Sequence, residues 1–312
     1  MRTPSRKLPI VLTLDVHDQP GIEGYLDESV DVLTELGVRA TYFIPADTYR
    51  KYRRALERIG PPHQIACHGL FHDGEEAYDR MSYAMQRDYI HRATSILSEG
   101  LGAHPGAFRT PGFRIAGVTL ELLQEFGYYA DVSVNSGRLG LTSTYNHENG
   151  WFLAPRLPYH PDRLHPFRRG TLSLWEIPVS ALIFPLTSNA AVVLGKRMAV
   201  MFAGLLLSEC RLRPKPLVYM SHPEDLCRDG PDHGRGRFSL RLLLPTEGGI
   251  PLRHYLAAKK PEDFFQVNCA LIKRLQRPEE TVFLTVQDYV KQYLSEAAIK
   301  DKGQVAGSPV GI

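Results

Sequence analysis

The sequence has few cysteines, no long uninterrupted apolar run and little net charge, and each shortage argues against a class of protein. The four cysteines are scattered with no CxxC pair, which disfavours a thiolate zinc cluster and a dense disulfide framework. We therefore expect a reducing compartment. A formal net charge of +3 is well short of the basic balance typical of nucleic-acid-binding proteins, so no nucleic acid partner is predicted.

Signals for export and for membrane insertion are also weak. The apolar run at residues 10–14 stops at Asp15, which makes it too short for the core of a signal peptide. A longer apolar segment covers residues 190–207, but Lys196 and Arg197 lie near its middle, where a membrane-spanning helix tolerates charge least. We expect a cytoplasmic protein without a transmembrane span.

The residues that are present form alternating strand and helix patterns. With 43% hydrophobic and 23% charged residues, the chain has the composition of a folded globular protein. Alternation of this kind predicts a parallel α/β sheet or barrel. The predicted strands are 9–16, 39–44, 64–67, 107–109, 128–132, 171–177, 217–221 and 282–285, and the predicted helices are 24–36, 48–59, 82–97, 118–126, 190–207 and 262–275.

The chain is predicted to form a single domain over residues 1–300. We find no low-complexity linker and no internal repeat with a period of about 20–50 residues. Two irregular stretches, near 135–170 and 227–255, are longer than plain connections and are predicted to be insertions that wall a cleft. Residues 301–312 are rich in Gly, Pro and Ser and are predicted to be a disordered tail.

Polar residues follow several of the predicted strands, where α/β folds place their active sites. His68 and His72 are four residues apart, and if this segment is helical, both rings lie on one face and suit two nitrogen ligands of one metal ion. A pair of surface histidines is the alternative. Each of the other clusters, taken alone, also fits a turn or a hydrogen-bonded core group. They are Asp15-Val16-His17-Asp18, Arg109-Thr110-Pro111-Gly112, Asp131 and His222.

Together these clusters carry a family resemblance. The succession LTLDVHD, HGLFHD, FRTPGF, ADVS and MSHPED, followed by TVFLTVQDYV, resembles the motifs of the NodB-type polysaccharide deacetylases over about residues 9–295. The resemblance implies a distorted (β/α)7, TIM-like barrel. It also implies a metal-dependent hydrolase that removes an N-acyl group, usually N-acetyl, from an amino sugar. No GxSxG motif is present, which disfavours an α/β-hydrolase.

The resemblance also implies a role for each matched residue. Hydrolysis of an amide needs a nucleophilic water, stabilisation of the oxyanion and a proton for the departing amine. The implied roles are Asp15 as general base on a metal-bound water, His68 and His72 as metal ligands, Arg109 as the group that tunes Asp15, His222 as general acid, Asp131 as the group that orients His222, and the backbone N–H of Gly112 in the oxyanion hole.

The third metal ligand departs from the family pattern. Many members have a second carboxylate in the first motif, whereas here Val16 and His17 follow Asp15. An imidazole can also bind zinc, so a site of three histidines with His17 as the third ligand is expected, and Asp18 is the fallback ligand. Zinc is the expected ion, with cobalt, nickel and iron as alternatives.

The sequence also bears on the substrate and the partners. The absence of an export signal favours a lipid-linked or nucleotide-linked amino sugar over an external polymer. The alternatives are a small cyclic or non-sugar amide and a non-catalytic relative that binds carbohydrate. The apolar side chains of residues 198–206, beside Lys196 and Arg197, fit either a buried barrel helix or peripheral contact with a membrane. The oligomeric state is not predicted.

Overall fold

A computed structural model describes residues 6–138, 150–228 and 261–295. The predicted insertions fall partly, and the predicted tail wholly, outside these described residues. The strands are β1 (Leu8–Asp15), β2 (Thr41–Ile44), β3 (Gln64–Cys67), β4 (Ala107–Phe108), β5 (Ala130–Asp131), β6 (Trp175–Glu176), β7 (Ala181–Leu182), β8 (Phe184–Pro185), β9 (Leu217–Ser221) and β10 (Thr281–Leu284).

Helices separate most of these strands, as the alternation predicts. They are α1 (Ile22–Glu35), α2 (Ala46–Lys51), α3 (Arg53–Leu56), α4 (Tyr83–Leu101), α5 (Gly117–Glu125), α6 (Gly150–Leu153), α7 (Ser188–Leu194), α8 (Lys196–Leu212), α9 (Pro261–Leu275) and α10 (Val286–Tyr289). Within the described residues, no helix combines the length and the apolar character needed to cross a bilayer.

The main sheet is parallel and curls into the predicted distorted barrel. Seven strands lie in the order β9-β1-β2-β3-β4-β5-β6. Strands β10 and β2 pair with the same edge of β1, β10 with the first half of β1 and β2 with the second half. The gap between β6 and β9 is crossed by the chain at residues 177–187, where Ser180 N donates to Val218 O at 3.2 Å and Met220 N donates to Leu186 O at 3.2 Å.

Strand β1 explains how the fold positions polar groups inside the barrel. Alternate side chains of a strand point to opposite faces. Leu12 and Leu14 pack in the layer between the sheet and the helices, whereas Val11 packs inside the barrel. Thr13 and Asp15 continue the inward series and are also buried. The carboxyl end of β1 therefore delivers a carboxylate to the barrel interior.

Two of the predicted helices differ from the structure. The helix predicted at 190–207 is two helices, α7 and α8, because Gly195 between them adopts φ 77° and ψ 156°, which is not helical. The helix predicted at 48–59 is likewise divided into α2 and α3 at Tyr52, whose φ is −116° and ψ 30°. The strand predicted at 171–177 is reduced to the two residues of β6.

Candidate metal centre and active site

Three histidines from two strand ends lie together at the carboxyl edge of the sheet. His17 follows β1 and His68 follows β3, while His72 lies on the loop after His68. Their nitrogens lie within 4.8 Å of one another. The ring centroids of His17 and His72 are 4.3 Å apart, and those of His68 and His72 are 4.7 Å apart. Parallel strands place these residues side by side, although they are far apart in sequence.

The environment keeps these imidazoles neutral. Burial lowers the pKa of His68 to about 3, because desolvation disfavours the charged ring. Burial also lowers the pKa of His72, and it lowers that of His17 well below its ordinary value. His68 Nδ1 lies 2.8 Å from the carbonyl oxygen of Arg109, so Nδ1 carries the proton and Nε2 keeps its lone pair. Neutral rings are the form that binds metal ions.

The loop that carries His72 is not helical, which corrects the helical arrangement considered for the His68–His72 pair. His72 has φ 58° and Gly69 has φ 82°, so the chain turns back on itself between the two rings. The carboxylate of Glu76 holds this turn, accepting from the backbone N–H groups of Leu70 at 2.7 Å, Phe71 at 2.8 Å and His72 at 2.7 Å.

Glu76 was not among the residues that the sequence singled out. It is 1% exposed, and Tyr78 also donates to it at 2.8 Å. A Cβ on residue 69 would collide with the Glu76 carboxylate, so the turn needs glycine there for both space and φ. The available signal was Gly69 and an acidic residue four positions after His72, within the same short segment.

Asp15 is a buried carboxylate held by a buried arginine. Arg109 Nη1 lies 2.5 Å from Asp15 Oδ1 and also donates to Thr13 Oγ1 at 3.0 Å, while Arg109 Nε donates to the carbonyl of Val132 at 2.9 Å. Burial alone would raise the pKa of Asp15, but the charge of Arg109 and the nearby histidines lower it overall. The second oxygen, Oδ2, faces the histidines and lies 3.8 Å from His68 Nε2.

The fallback ligand lies outside this cluster. Asp18 is on the surface, where Lys51 Nζ approaches its Oδ2 to 2.8 Å and the hydroxyl of Tyr52 donates to its Oδ1 at 2.8 Å. The ligand atoms that lie close to one another are nitrogens of His17, His68 and His72, and the Asp18 carboxylate is not among them. His17 therefore occupies the place expected of the third ligand.

His222, at the end of β9, lies on the other side of His17. The two ring centroids are 4.8 Å apart. Its Nδ1 lies 3.0 Å from Asp225 Oδ2, and the same carboxylate accepts from Ser188 Oγ at 2.5 Å. Burial alone would lower the pKa of His222, but the hydrogen bond to Asp225 and the charges of Asp225 and Glu224 raise it to about 9. The ring is therefore cationic at neutral pH.

Asp131 does not contact His222 as the resemblance implied. Its carboxylate accepts from the backbone N–H of Ser133 at 3.1 Å and from the Ser133 hydroxyl at 2.8 Å. Glu176 pairs with it in register on β6, and burial raises the pKa of both carboxyl groups. Strands β5 and β9 are not adjacent in the sheet. Asp225, three residues after His222, makes the contact with Nδ1 of His222 instead.

Gly112 lies on a turn that directly follows Arg109 and Thr110. The 3-10 turn spans Pro111–Phe113, and Gly112 adopts φ 61° there. The predicted role of its N–H in an oxyanion hole stays a prediction, as do the roles of the other residues at the site.

Comparison with known proteins shows which family the chain resembles. A family model described as polysaccharide deacetylase matches residues 2–130. This part of the chain is similar to the polysaccharide deacetylase family. Family members are hydrolases that act on N-acetyl amide bonds, so the enzyme class predicted from the motifs is confirmed at the level of the family. The matched part carries Asp15 and the three clustered histidines, whereas His222 and Asp225 lie beyond it.

A solved structure extends the likeness in fold over nearly the whole chain. A putative polysaccharide deacetylase from Mycobacterium smegmatis is 17% identical, with 95% of this chain and 94% of that chain covered and a TM-score of 0.58. The Xyl-CE4 domain of a multidomain xylanase from the hindgut metagenome of Trinervitermes trinervoides is 13% identical, with 92% and 91% covered and a TM-score of 0.47. A search of curated proteins finds no match. The predicted distorted barrel is confirmed.

Proposed function

We propose that the protein is a metal-dependent hydrolase that removes an N-acyl group, in the simplest case N-acetyl, from an amino sugar of a glycan or glycolipid precursor. One observation carries the proposal: three neutral histidines lie between an ionised carboxylate, Asp15, and a protonated histidine, His222. A base on one side and an acid on the other is the arrangement that amide hydrolysis requires.

The donor set fits a divalent metal ion. Zinc binds histidine nitrogens at about 2.0–2.1 Å in a tetrahedral site, which puts ligand nitrogens roughly 3.4 Å apart, so small rotations of the three rings would close the cluster. Nitrogen donors suit zinc, cobalt, nickel and iron better than magnesium or calcium. When bound, such an ion lowers the pKa of water and polarises the acyl oxygen. His17, His68 and His72 would hold it, and the Arg109 carbonyl would orient His68.

Asp15 is placed to remove a proton from the attacking water. Its Oδ1 is occupied by Arg109, which keeps the carboxylate ionised, and its Oδ2 faces the histidine cluster. Because Arg109 is itself fully buried and bonded to Thr13 and to the Val132 carbonyl, the base is held in one orientation. A fixed base with a free oxygen towards the reacting atoms supports general base catalysis.

His222 is placed to donate a proton to the departing amine. An amine leaves readily only when it is protonated, so the reaction needs an acid that is still charged at neutral pH. The Asp225 carboxylate accepts from Nδ1 of His222 and stabilises the cation, which leaves Nε2–H as the proton donor. The amino sugar as substrate class rests on the family match, and lipid-linked or nucleotide-linked sugars are the forms we propose to test.

The test compares two neighbouring aspartates. The purified protein is incubated with zinc, cobalt or nickel and then with N-acetylglucosamine oligomers or a nucleotide-linked N-acetyl sugar, and released acetate is measured. Asp15→Asn removes the base and is expected to lower the rate by at least about 100-fold. Asp18→Asn makes the same chemical change at an exposed position and should retain the parental rate.

Two outcomes would contradict this proposal. One is a metal-loaded parent that releases no acetate from any of these sugars. The other is an Asp15→Asn variant that remains as active as Asp18→Asn. Turnover of a small cyclic amide without turnover of any sugar would support the alternative amidase instead.

A further inference from the structure

The exposed apolar side chains of the described residues are concentrated on one surface. Eight of the twelve exposed large hydrophobic residues lie on the outer side of α8 or on the two segments beside it. The most exposed, Leu212, has 85% of its surface accessible. We call this region the α8 surface. Its members are Phe152, Leu153, Leu182, Ile183, Met198, Met201, Leu205 and Leu212.

Helix α8 itself is apolar on two sides. Ala199, Ala203 and Leu206 face the barrel and are buried. Met198, Met201, Leu205 and Leu212 are separated by three, four and seven residues, so they form one stripe on the opposite side of the helix. This stripe runs for roughly 21 Å at 1.5 Å per residue. The helix is therefore not the wholly buried barrel helix that was one of the two alternatives from the sequence.

A groove joins the stripe to the neighbouring segments. A cavity of about 520 Å³ is lined by Phe152, Leu182, Ile183, Leu205 and Leu212 among others. Two of the charged residues that line it, Arg156 and Glu209, are paired with each other. Arg156 donates to both oxygens of Glu209, at 2.6 Å and 2.6 Å, so the groove offers mainly apolar surface to an incoming group.

A basic cavity adjoins the apolar groove. It has a volume of about 510 Å³, and the two cavities share Leu212 and Arg213. Of the described residues that line it, none is acidic, and the cationic ones are Arg6, Lys7, Arg211, Arg213 and Lys215. Arg211 pairs with Glu280 and Lys215 pairs with Glu209. Neither Lys7 nor Arg213 forms an ion pair within residues 6–138, 150–228 and 261–295.

We propose that the α8 surface binds an anionic lipid bilayer, with its apolar side chains entering the lipid and the basic cavity contacting lipid phosphates. The combination of an apolar stripe and adjacent cations is what such a membrane surface recognises. A second copy of the chain fits less well. Lys196 and Arg197 lie at one end of α8 and Arg213 at the other, so two α8 helices packed in either direction would bring cation against cation.

This inference does not depend on the proposed catalytic function. Leu212 and Arg213 precede β9, so this end of the surface and the basic cavity lie near the amino ends of β1 and β9. His222 and Asp15 lie at the carboxyl ends of the same strands. Bilayer binding would therefore position the enzyme without occupying its active site.

Vesicle sedimentation of the full chain tests the inference. The probe is a vesicle of phosphatidylcholine with about 30% phosphatidylglycerol, compared with pure phosphatidylcholine and with high salt. We expect the parent to bind the anionic vesicles and to lose binding in high salt. The double variant Met201→Glu and Leu205→Glu, and separately Arg213→Glu, should bind at least about tenfold more weakly.

The control is Met85→Glu, which changes an exposed methionine on α4, away from the α8 surface, and should bind as the parent does. Acetate release from a soluble sugar should be the same in all variants, which separates this test from the catalytic one. Three results would overturn the inference: no binding of the parent, equal binding of the double variant, or parental self-association that the double variant abolishes. The first of these results includes a parent that binds inorganic phosphate but no vesicles.

Discussion

The two sides of the candidate active site hold buried histidines in opposite states. His68 is neutral, because burial lowers its pKa to about 3, whereas His222 is cationic, with a pKa of about 9. Burial disfavours the charged form of both rings, so burial does not explain the difference. The partner of Nδ1 does, since His68 bonds to a backbone carbonyl and His222 bonds to the carboxylate of Asp225. The Asp225 carboxylate thus separates the histidine that we propose as a proton donor from the one that we propose as a metal ligand.

The largest expected effect is on the metal content of the protein, which should depend on the histidine cluster and not on His222. His68→Ala and His72→Ala each remove a nitrogen donor and should lower metal affinity by at least about 100-fold. His222→Ala should keep the parental metal content while losing activity. Elemental analysis of the purified variants measures this, and His17→Ala identifies the third ligand. A parent that stays free of metal after incubation with zinc, cobalt or nickel would contradict the assignment.

The second effect should appear in the pH profile. His222 must be protonated to act as an acid, and its raised pKa keeps it protonated up to about pH 9, so kcat/KM should fall as pH rises through that value. Asp225→Asn removes the charge that raises this pKa and should move the alkaline limb down towards the ordinary histidine value of about 6.5.

Asp131→Asn is the matched control for that experiment. Asp131 bonds to Ser133, so its amide variant should leave the alkaline limb in place whatever it does to stability. If Asp131→Asn moves the limb and Asp225→Asn does not, the role implied by the family motif is correct and the one assigned from the hydrogen bond is wrong.

The smallest effect concerns the loop that carries His72. Glu76→Gln weakens the acceptor for three backbone amides and should reduce metal affinity by about tenfold, with little change in kcat at saturating metal. Glu75→Gln, at an exposed neighbouring position, is the control. Metal titration of both variants checks the prediction. Equal affinities would show that the loop keeps its shape without the Glu76 charge.

The strands of four or more residues were predictable, whereas the two-residue strands were not. Strands β1, β2, β3, β9 and β10 coincide closely with the predicted segments, because runs of buried β-branched and aromatic residues mark them. Strands β4, β5 and β6 have two residues each, since the curvature of the barrel decides how long their hydrogen-bonded pairing lasts. The division at Gly195 was also missed, because glycine within an apolar helical pattern is often tolerated.

The sequence by itself determined the barrel type, the order of the motifs and the residues that can carry the chemistry. Local patterns predicted the alternating α/β fold, and the resemblance of the motifs to the polysaccharide deacetylases implied the barrel type and the residue roles. Only the tertiary structure decided that Asp225 contacts His222, that Asp18 lies outside the histidine cluster and that Glu76 shapes the loop of His72. These contacts depend on how the strand ends and loops meet across the barrel, and spacing along the chain does not determine those distances.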